Sequence, residues 1–179
     1  PEYIFFTHWS YIIPENIYNN YNCIVFHMTD LPYGRGGSPL QNLIERGHTH
    51  TKISALKVVK ELDAGPIYLK RDLCLHGTAE EIFLRAGNIF IEMIEKIVRE
   101  NPIPIIQQGE PVFFKRRKSE MSNMKELKNI MQVFDYIRML DAVNYPNAFI
   151  ENDYFKFEFS RAALKSDNSI IADVRIFKK

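Results

Sequence analysis

Short apolar runs alternate with helix-spaced stripes along the first hundred residues. Runs of β-branched and aromatic side chains predict four buried strands, at residues 3–7, 23–27, 53–59 and 67–70. Short helices are predicted near 14–19 and from Pro39 to about Arg46, because proline suits a first helical turn and Gly47 suits a helix end. Strands that interleave with helices predict an α/β fold.

A longer helix is predicted from residue 78 to residue 100. Thr78-Ala79-Glu80-Glu81 has the form of a capping box, and Asn101-Pro102 stops the helix. Between these signals, seven apolar residues recur at helical spacing: Ile82, Phe83, Ala86, Phe90, Met93, Ile94 and Ile97. We interpret this stripe as the face that packs on the core.

The pattern changes after residue 101, where prolines and a glycine interrupt the next ten residues. The elements predicted there are a strand at 112–114, a helix at roughly 124–140 and strands at Tyr154–Phe159 and Ile170–Phe177. We therefore expect two parts. These are an α/β domain over residues 1–101 and a smaller extension of a helix and strands over residues 102–179.

Composition indicates a folded protein without the charge of a dedicated nucleic-acid binder. The 179 residues are 46% hydrophobic, which is enough to bury a core and excludes a disordered chain. Lys and Arg number 23 against 22 Asp and Glu, so the net charge is only +1 and a tRNA partner is disfavoured. Two cysteines, Cys23 and Cys74, are too few for a disulfide framework and predict a reduced, cytoplasmic protein. No run approaches the roughly 18 apolar residues of a membrane span, so no membrane partner is expected.

Two polar residues beside predicted strands are the first candidates for chemistry. His27 completes an otherwise apolar strand, and Asp63 lies in the charged turn that follows the third strand. If the two strands are neighbours, the imidazole and the carboxylate meet at the sheet edge where α/β proteins bind ligands. A carboxylate beside a histidine orients the ring and supports its charged form. The alternative is that each side chain bonds only to backbone.

Three other patterns carry less chemical information. The Gly-rich segment at 34–39 fits neither a P-loop nor a dinucleotide fingerprint and is interpreted as a tight loop. The basic run Lys115–Lys118 either holds an anionic substrate or forms a solvated turn. No metal is expected, because the side chains of metal-ligand type lie at spacings that match no standard zinc pattern: His48, His50, Cys74 and His76.

Three segments resemble those of the folate-dependent formyltransferases. Residues 27–39, HMTDLPYGRGGSP, are similar to the H-x-S-L-L-P-x-x-R-G-x-x-P segment of that family. Residues 62–67, LDAGPI, are similar to its L-D-T/A-G-x-I segment, and the 36 positions from His27 to Asp63 are the separation expected there. The stretch from Phe114 to Phe149, with Arg116-Arg117 and Tyr145-Pro146-Asn147-Ala148-Phe149, resembles the region after the catalytic domain in the tRNA and sugar enzymes. The resemblance covers roughly residues 3–160.

The resemblance implies a fold and a reaction. The fold is a Rossmann-like catalytic domain over residues 1–101, whose first βα units would precede Tyr3–Thr7 and lie outside this chain, followed by the small C-terminal extension. The reaction is transfer of a formyl group from N10-formyltetrahydrofolate to an amine, without a metal. His27 would stabilise the negative charge on the formyl oxygen or move a proton, and Asp63 would orient His27 and act as, or assist, the base.

One position departs from the family pattern. The family carries asparagine two residues before the catalytic histidine, whereas this chain has Val25, which cannot donate a hydrogen bond. Thr29 is therefore predicted as a third catalytic residue that supplies the missing donor. Gln41 and His8 are further candidates for that role.

The resemblance also implies binding residues. Those expected to contact the folate are Trp9, Ser10, Leu62 and Ala64. Those expected to contact the acceptor are His8, Tyr33, Arg35, Gly36, Arg116 and Arg117. The arginines would bind phosphate through their forked guanidinium groups, although Arg35 is equally suited to stabilise its own turn.

The expected acceptor is a nucleotide-linked amino sugar of cell-surface glycan biosynthesis. The near-neutral charge and the short extension disfavour tRNA, whose phosphates need clustered Lys and Arg. The Tyr145–Phe149 segment disfavours the family's glycinamide ribonucleotide formyltransferase, an enzyme of the purine pathway. That enzyme is similar only to the catalytic domain of this chain. Two alternatives stay open: a methionyl-tRNA formyltransferase, and a catalytically impaired module that binds folate or a sugar nucleotide, which Val25 would explain. A homodimer is compatible with each of these interpretations.

Overall fold

The computed structural model describes all residues from 1 to 179 and divides them into two compact units. The first unit contains residues 1–39, 49–75 and 84–116, and the second contains residues 40–48, 76–83 and 117–179. The two units alternate along the chain, and the last change from the first to the second unit follows Arg116. The boundary predicted from the sequence lies earlier, after residue 101.

Thirteen helices and strands and one 3₁₀ turn, at Ser119–Ser122, make up the chain. In chain order they are β1 (Tyr3–Phe6), α1 (Glu15–Tyr18), β2 (Asn22–His27), β3 (Tyr33–Gly36), α2 (Pro39–Glu45), β4 (His50–Lys57), β5 (Ile67–Cys74), α3 (Ala79–Glu100), β6 (Val112–Phe114), α4 (Ile130–Leu140), β7 (Ala148–Glu151), β8 (Phe155–Leu164) and β9 (Ile170–Lys178). The alternation of helices and strands confirms the predicted α/β class.

The first unit is built on a four-stranded sheet in the order β1-β2-β4-β5. β1 runs parallel to β2, whereas β2 is antiparallel to β4 and β4 is antiparallel to β5. The described strands therefore form a mixed sheet that ends in a hairpin. This arrangement decides which residues can meet beside His27.

Two strand predictions in the first unit need correction. β4 and β5 are longer than predicted, because polar residues continue the hairpin ladder, with His50 paired to Cys74 and Lys52 to Asp72. Residues 33–36, predicted as loop, form β3 and pair in parallel with β6. A Gly-rich segment carries no apolar alternation, so the hydrophobic pattern gives no signal for this strand.

The predicted stripe of α3 is confirmed as a buried face. Ala86, Phe90, Met93 and Ile97 are at most 3% exposed. Phe90 packs on Phe26 of β2, with ring centroids 5.0 Å apart. This packing holds the helix against the strand that carries His27.

The second unit contains the antiparallel sheet β7-β8-β9, with α4 packed on β7 and β8. The helix begins at Ile130 rather than near residue 124, because Asn129 caps it by accepting a hydrogen bond from the Met131 N–H at 2.8 Å. Apolar side chains of α4 and of the sheet line a cavity of about 400 Å³. The strand β7 was not predicted.

Both cysteines are free thiols. Cys23 is a buried free thiol in β2, and Cys74 is a half-buried free thiol at the end of β5. The structure contains no helix with the length and apolar character that a bilayer crossing requires.

An ion pair holds three segments of the second unit together. Arg117 Nη1 lies 2.5 Å from Glu45 Oε2, and the Tyr136 hydroxyl donates to Glu45 Oε1 at 2.6 Å. The Arg117 guanidinium also stacks over the Tyr136 ring, 5.1 Å from its centroid. Burial alone would raise the pKa of the Glu45 carboxyl, but the hydrogen bonds from Tyr136 and Arg117 outweigh it and hold this pKa below its usual value.

Replacing Glu45 by glutamine should lower the free energy of unfolding at neutral pH by about 1–2 kcal/mol, because Arg117 loses its charged partner. The folded-state pKa of Glu45 is depressed, so the wild-type stabilisation is present above the unfolded-state pKa and is lost as the pH falls through the folded-state pKa. Urea denaturation from pH 7 to pH 3 should therefore show a difference between wild type and Glu45→Gln that shrinks toward acid.

Glu92→Gln, on the exposed side of α3, is the control and should stay within about 0.5 kcal/mol of wild type. A Glu45→Gln difference that is constant over the whole pH range would contradict the assignment.

Candidate functional site

His27 and Asp63 lie together in the first unit, but not for the predicted reason. His27 ends β2 and pairs with Ser54 in the antiparallel β4, so the carboxyl ends of these strands do not meet at one edge. The loop at residues 58–66, between β4 and β5, instead places Asp63 Oδ2 at 3.6 Å from His27 Nδ1. Both side chains are only 9% exposed. The structure thus brings the predicted pair within ion-pair distance through a loop.

The second ring nitrogen of His27 is bonded to the Gly-rich segment. Nε2 lies 2.7 Å from the carbonyl oxygen of Gly34, and because a carbonyl only accepts, Nε2 carries a hydrogen. A neutral ring would then present its Nδ1 lone pair to the Asp63 carboxylate. The contact between Nδ1 and Oδ2 is therefore attractive only when one of the two atoms holds a proton. This geometry suits a pair that holds and releases one proton.

The turn that carries Asp63 is tightly constrained. Asp63 has a φ of 54°, in the left-handed region that few residues other than glycine adopt. Its Oδ2 accepts a hydrogen bond from the Gly36 N–H at 2.9 Å. Two positions later, a Cβ atom on Gly65 would lie 1.7 Å from the Lys57 carbonyl oxygen, so only glycine fits there.

A cavity of about 320 Å³ opens beside this turn. Aromatic and aliphatic side chains form much of its wall, among them Trp9, Tyr11, Ile12 and Leu62. Trp9 and Leu62 are 49% and 58% exposed, so a planar ligand can reach them from solvent. A largely apolar wall with a few polar groups is typical of a small-molecule site.

Several charged residues also line the cavity: Glu15, Lys57, Lys60, Glu61 and Asp63. His27 does not belong to the wall. Val25 also lines the cavity, two residues before His27, and leaves that part of the wall without a donor. Asp63 is thus the member of the pair that belongs to the cavity wall, although its side chain is only 9% exposed.

The residues predicted to contact folate divide into two groups. Trp9 and Leu62 line the cavity, as stated above. Ser10 does not, and its carbonyl oxygen accepts a hydrogen bond from Arg116 at 3.2 Å. Ala64 is also outside the wall, and its N–H donates to the Glu61 carbonyl oxygen.

Thr29, which is predicted to replace the missing donor, lies outside the cavity wall. It is completely buried, and its hydroxyl donates to the Gly34 carbonyl oxygen at 3.4 Å. Gln41 is buried in the second unit and donates to the Met139 carbonyl oxygen. The His8 ring packs edge-on against Phe90, with centroids 5.2 Å apart, and burial lowers the pKa of His8. None of these three candidates lines the cavity.

The arginines predicted to bind phosphate have other partners. Arg35 donates from Nε and Nη2 to Gln107 Oε1, at 3.1 and 2.8 Å, which favours its turn-stabilising alternative. The Arg117 side chain is only 5% exposed and is paired with Glu45, which favours a structural role over contact with the acceptor. Arg116 is exposed and remains a candidate.

The remaining predicted residues lie in the Gly-rich segment. The Tyr33 ring packs edge-on against Phe114, with centroids 5.4 Å apart, and the Gly36 N–H is bonded to Asp63. Sequence reasoning missed Gln107, whose side chain bonds to Arg35 and to the Asp63 turn. The sequence carries no clear signal for it, because the adjacent Gln108 and the nearby Glu110 are also polar.

Comparison with known proteins gives matches along the whole chain. Residues 119–177 match a family model described as the C-terminal domain of methionyl-tRNA formyltransferase. The chain is 31% identical over 112 residues to the methionyl-tRNA formyltransferase of Rickettsia massiliae, and 27% identical over 165 residues to that of a Thermotoga species. These matches cover 59% and 87% of this chain but only 37% and 53% of the relatives, so the chain spans between about a third and a half of their length.

Solved structures extend the comparison. A methionyl-tRNA formyltransferase from Clostridium thermocellum is 55% identical, with a TM-score of 0.97, and the match covers all of this chain and 79% of that one. HypX from Aquifex aeolicus in complex with tetrahydrofolic acid has a TM-score of 0.75 at 19% identity, over 92% of this chain and 30% of that one. A 4-N formyltransferase from Francisella tularensis has a TM-score of 0.68 at 15% identity, over 96% and 69%. The last two matches show a shared fold alone.

A histidine–carboxylate pair beside a largely apolar cavity can exchange a proton with a bound small molecule. The 55% identity to the Clostridium thermocellum protein, over all of this chain and 79% of that one, defines the class further. This chain belongs to the formyltransferase family that includes the methionyl-tRNA formyltransferases.

Gly65→Ala should disrupt the Asp63 turn, because the added methyl group would collide with the Lys57 carbonyl oxygen. We expect the variant to lose at least about 2 kcal/mol of stability in urea denaturation. The matched control is Gly87→Ala in α3, where a Cβ meets no atom within 4 Å. That substitution should stabilise the protein by about 0.5–1 kcal/mol. Equal stability of the two variants would show that the turn has room for a side chain.

Proposed function

We propose that the protein transfers a formyl group from N10-formyltetrahydrofolate to the amino group of methionyl-tRNA. The observation that carries this proposal is the 55% identity, along the entire chain, to a methionyl-tRNA formyltransferase of known structure. The match of residues 119–177 to the C-terminal domain of such enzymes adds support from a second region. Methionyl-tRNA is the alternative acceptor that the sequence patterns left open beside the expected amino sugar.

The amino-sugar acceptor expected from net charge receives less support. The sugar N-formyltransferases among the solved structures are only 15–17% identical to this chain. The charge argument sums over the whole chain, whereas binding of a tRNA depends on where a modest number of Lys and Arg residues lie. A net charge of +1 therefore does not decide between the two acceptors.

The cavity beside Asp63 fits the proposed donor. Trp9 and Tyr11 offer aromatic surface to the flat rings of a folate, and Ile12 and Leu62 offer aliphatic surface. A volume of about 320 Å³ is at the lower end of ordinary ligand sites, and its open rim suits a ligand that extends into solvent. The likeness in fold to HypX, which was solved with tetrahydrofolic acid, is consistent with this assignment.

The folate supplies the formyl carbon when it is bound. The amine forms a new C–N bond to that carbon, the bond from the carbon to N10 breaks, the amine loses one proton and N10 gains one. Asp63, on the cavity wall, accepts the proton from the amine. His27, at 3.6 Å behind it, supports the carboxylate and shares the proton until it passes to N10.

Negative charge also develops on the formyl oxygen during this reaction. Val25 contributes no hydrogen bond at the position where the family has asparagine. Loss of one such donor typically slows a reaction by about 10²–10³-fold. We therefore expect the formyl-transfer step to be slow. In the extreme case of no transfer at all, the protein would be a module that binds folate without turnover.

The acceptor is tested by supplying the protein with N10-formyltetrahydrofolate and one amine at a time. We expect formylation of methionyl-tRNA, with an affinity that falls steeply as salt rises, because tRNA binding releases counterions. Nucleotide-linked 4-amino sugars should give no product. Uncharged tRNA is the control, since it offers the same phosphates without the amine.

Turnover of an amino sugar without turnover of methionyl-tRNA would overturn the proposed acceptor. Folate binding without transfer to either acceptor would favour the binding module.

A further inference from the structure

We infer that Gln107 is a positioning residue for Asp63, which it serves by closing the backbone of the Asp63 turn. Gln107 lies between α3 and β6 and is half-buried in the first unit. It does not line the cavity, so we assign it no contact with a bound folate. The inference rests on the proposed function in one respect, namely that Asp63 takes part in formyl transfer.

The amide nitrogen of Gln107 bridges the two ends of the turn. Nε2 donates to the Asp63 carbonyl oxygen at 2.7 Å and to the Gly65 carbonyl oxygen at 2.9 Å. These are the two carbonyls on either side of Ala64. One amide group therefore satisfies both and holds the turn closed.

The amide oxygen of Gln107 is held from the other side. Oε1 accepts from Arg35 Nε and Nη2, at 3.1 and 2.8 Å. A guanidinium only donates and a carbonyl only accepts, so the two ends of the amide cannot be exchanged without losing all four bonds. Gln107 thus has one orientation, fixed by chemistry on both sides.

These hydrogen bonds connect Gln107 to the Asp63 carboxylate through Arg35 and Gly36. Arg35 directly precedes Gly36, whose N–H donates to Asp63 Oδ2. Gln107 therefore ties the strand that holds the carboxylate of Asp63 to the turn that holds its backbone. The carboxylate is located by two segments that share one amide side chain.

The segment that carries Gln107 is itself anchored. Ile105 and Ile67 exchange two backbone hydrogen bonds, of 2.9 and 2.8 Å, at the start of β5. The amide is therefore presented from a fixed point only two residues away. A rigid support of this kind is needed to place a reacting group to within a fraction of an ångström.

Loss of the amide donor would leave two turn carbonyls without their partner. The left-handed backbone at Asp63 is unfavourable by itself and persists only where surrounding bonds hold it. The turn would then relax, and the carboxylate would move from Gly36 and His27. Catalysis should suffer more than folate binding, because the cavity wall is otherwise unchanged.

Gln107→Glu tests this role with a side chain of the same shape. The carboxylate keeps the bond to Arg35 but has no hydrogen to donate to the turn. We expect kcat for formyl transfer to fall by about 10–100-fold, with KM for the folate within about threefold of wild type. Gln107→Leu should behave alike. The matched control is the exposed neighbour Gln108, whose replacement by leucine should leave kcat unchanged.

A second readout does not require turnover. The Gly36 N–H is bonded to the Asp63 carboxylate, so its hydrogen exchange reports the position of that group. In both Gln107 variants this amide should exchange at least about tenfold faster relative to core amides such as those of Ile24 and Ile53. In Gln108→Leu it should not change.

The inference is overturned if Gln107→Glu keeps both wild-type kcat and wild-type protection of Gly36. It is also overturned if exchange rises uniformly at all core amides, since that result would indicate general destabilisation. Absence of transfer by the wild-type protein would refute the proposed function instead, and the Gly36 measurement would still decide the role of Gln107.

Discussion

The turn that carries Asp63 is the constraint on which the site depends. A left-handed aspartate costs on the order of 1 kcal/mol or more relative to an ordinary backbone conformation. The cost is offset by the bonds of Gln107 to the turn and of Gly36 to the carboxylate, and by the absence of a side chain at Gly65. Without this turn, the carboxylate would not reach His27 across an antiparallel strand pair.

The burial of His27 follows from contacts at both of its ring nitrogens. Its ring is covered by the Gly-rich segment on one side, through Gly34, and by Asp63 on the other. The cavity is consequently lined by Asp63 and not by His27. In the proposed reaction, Asp63 meets the reactants and His27 stabilises Asp63.

The sequence was sufficient for the parts of the fold and site that carry a periodic or ordered pattern. The buried stripe of α3 follows from helical spacing, and the His27–Asp63 pair follows from two ordered motifs. The partner of the Thr29 hydroxyl could not be predicted, because a pattern cannot tell which side of a loop a hydroxyl faces. The partner of Arg117 could not be predicted either, because Glu45 lies 72 residues away in the sequence.

Gln107 was missed for a different reason. Its bonds to the Asp63 turn end on backbone carbonyls, which every residue possesses, so no particular partner residue marks them in the sequence. β3 is similar in this respect, since a Gly-rich strand pairs through its backbone without an apolar alternation. Interactions of this kind become visible only in three dimensions.

The role of Asp63 is tested most directly by separating folate binding from chemistry in Asp63→Asn. Trp9, the single tryptophan, lines the cavity, so quenching of its fluorescence reports folate binding. We expect tetrahydrofolate to quench Trp9 fluorescence saturably in both wild type and Asp63→Asn. Formyl transfer by the variant should be at least about 10²-fold slower than by wild type. Asp72→Asn, on the exposed side of β5, should match wild type in both measurements. Near-normal transfer by Asp63→Asn would contradict the role of Asp63 in the reaction. Transfer by the wild-type protein without any change in Trp9 emission would contradict the assignment of the cavity to folate.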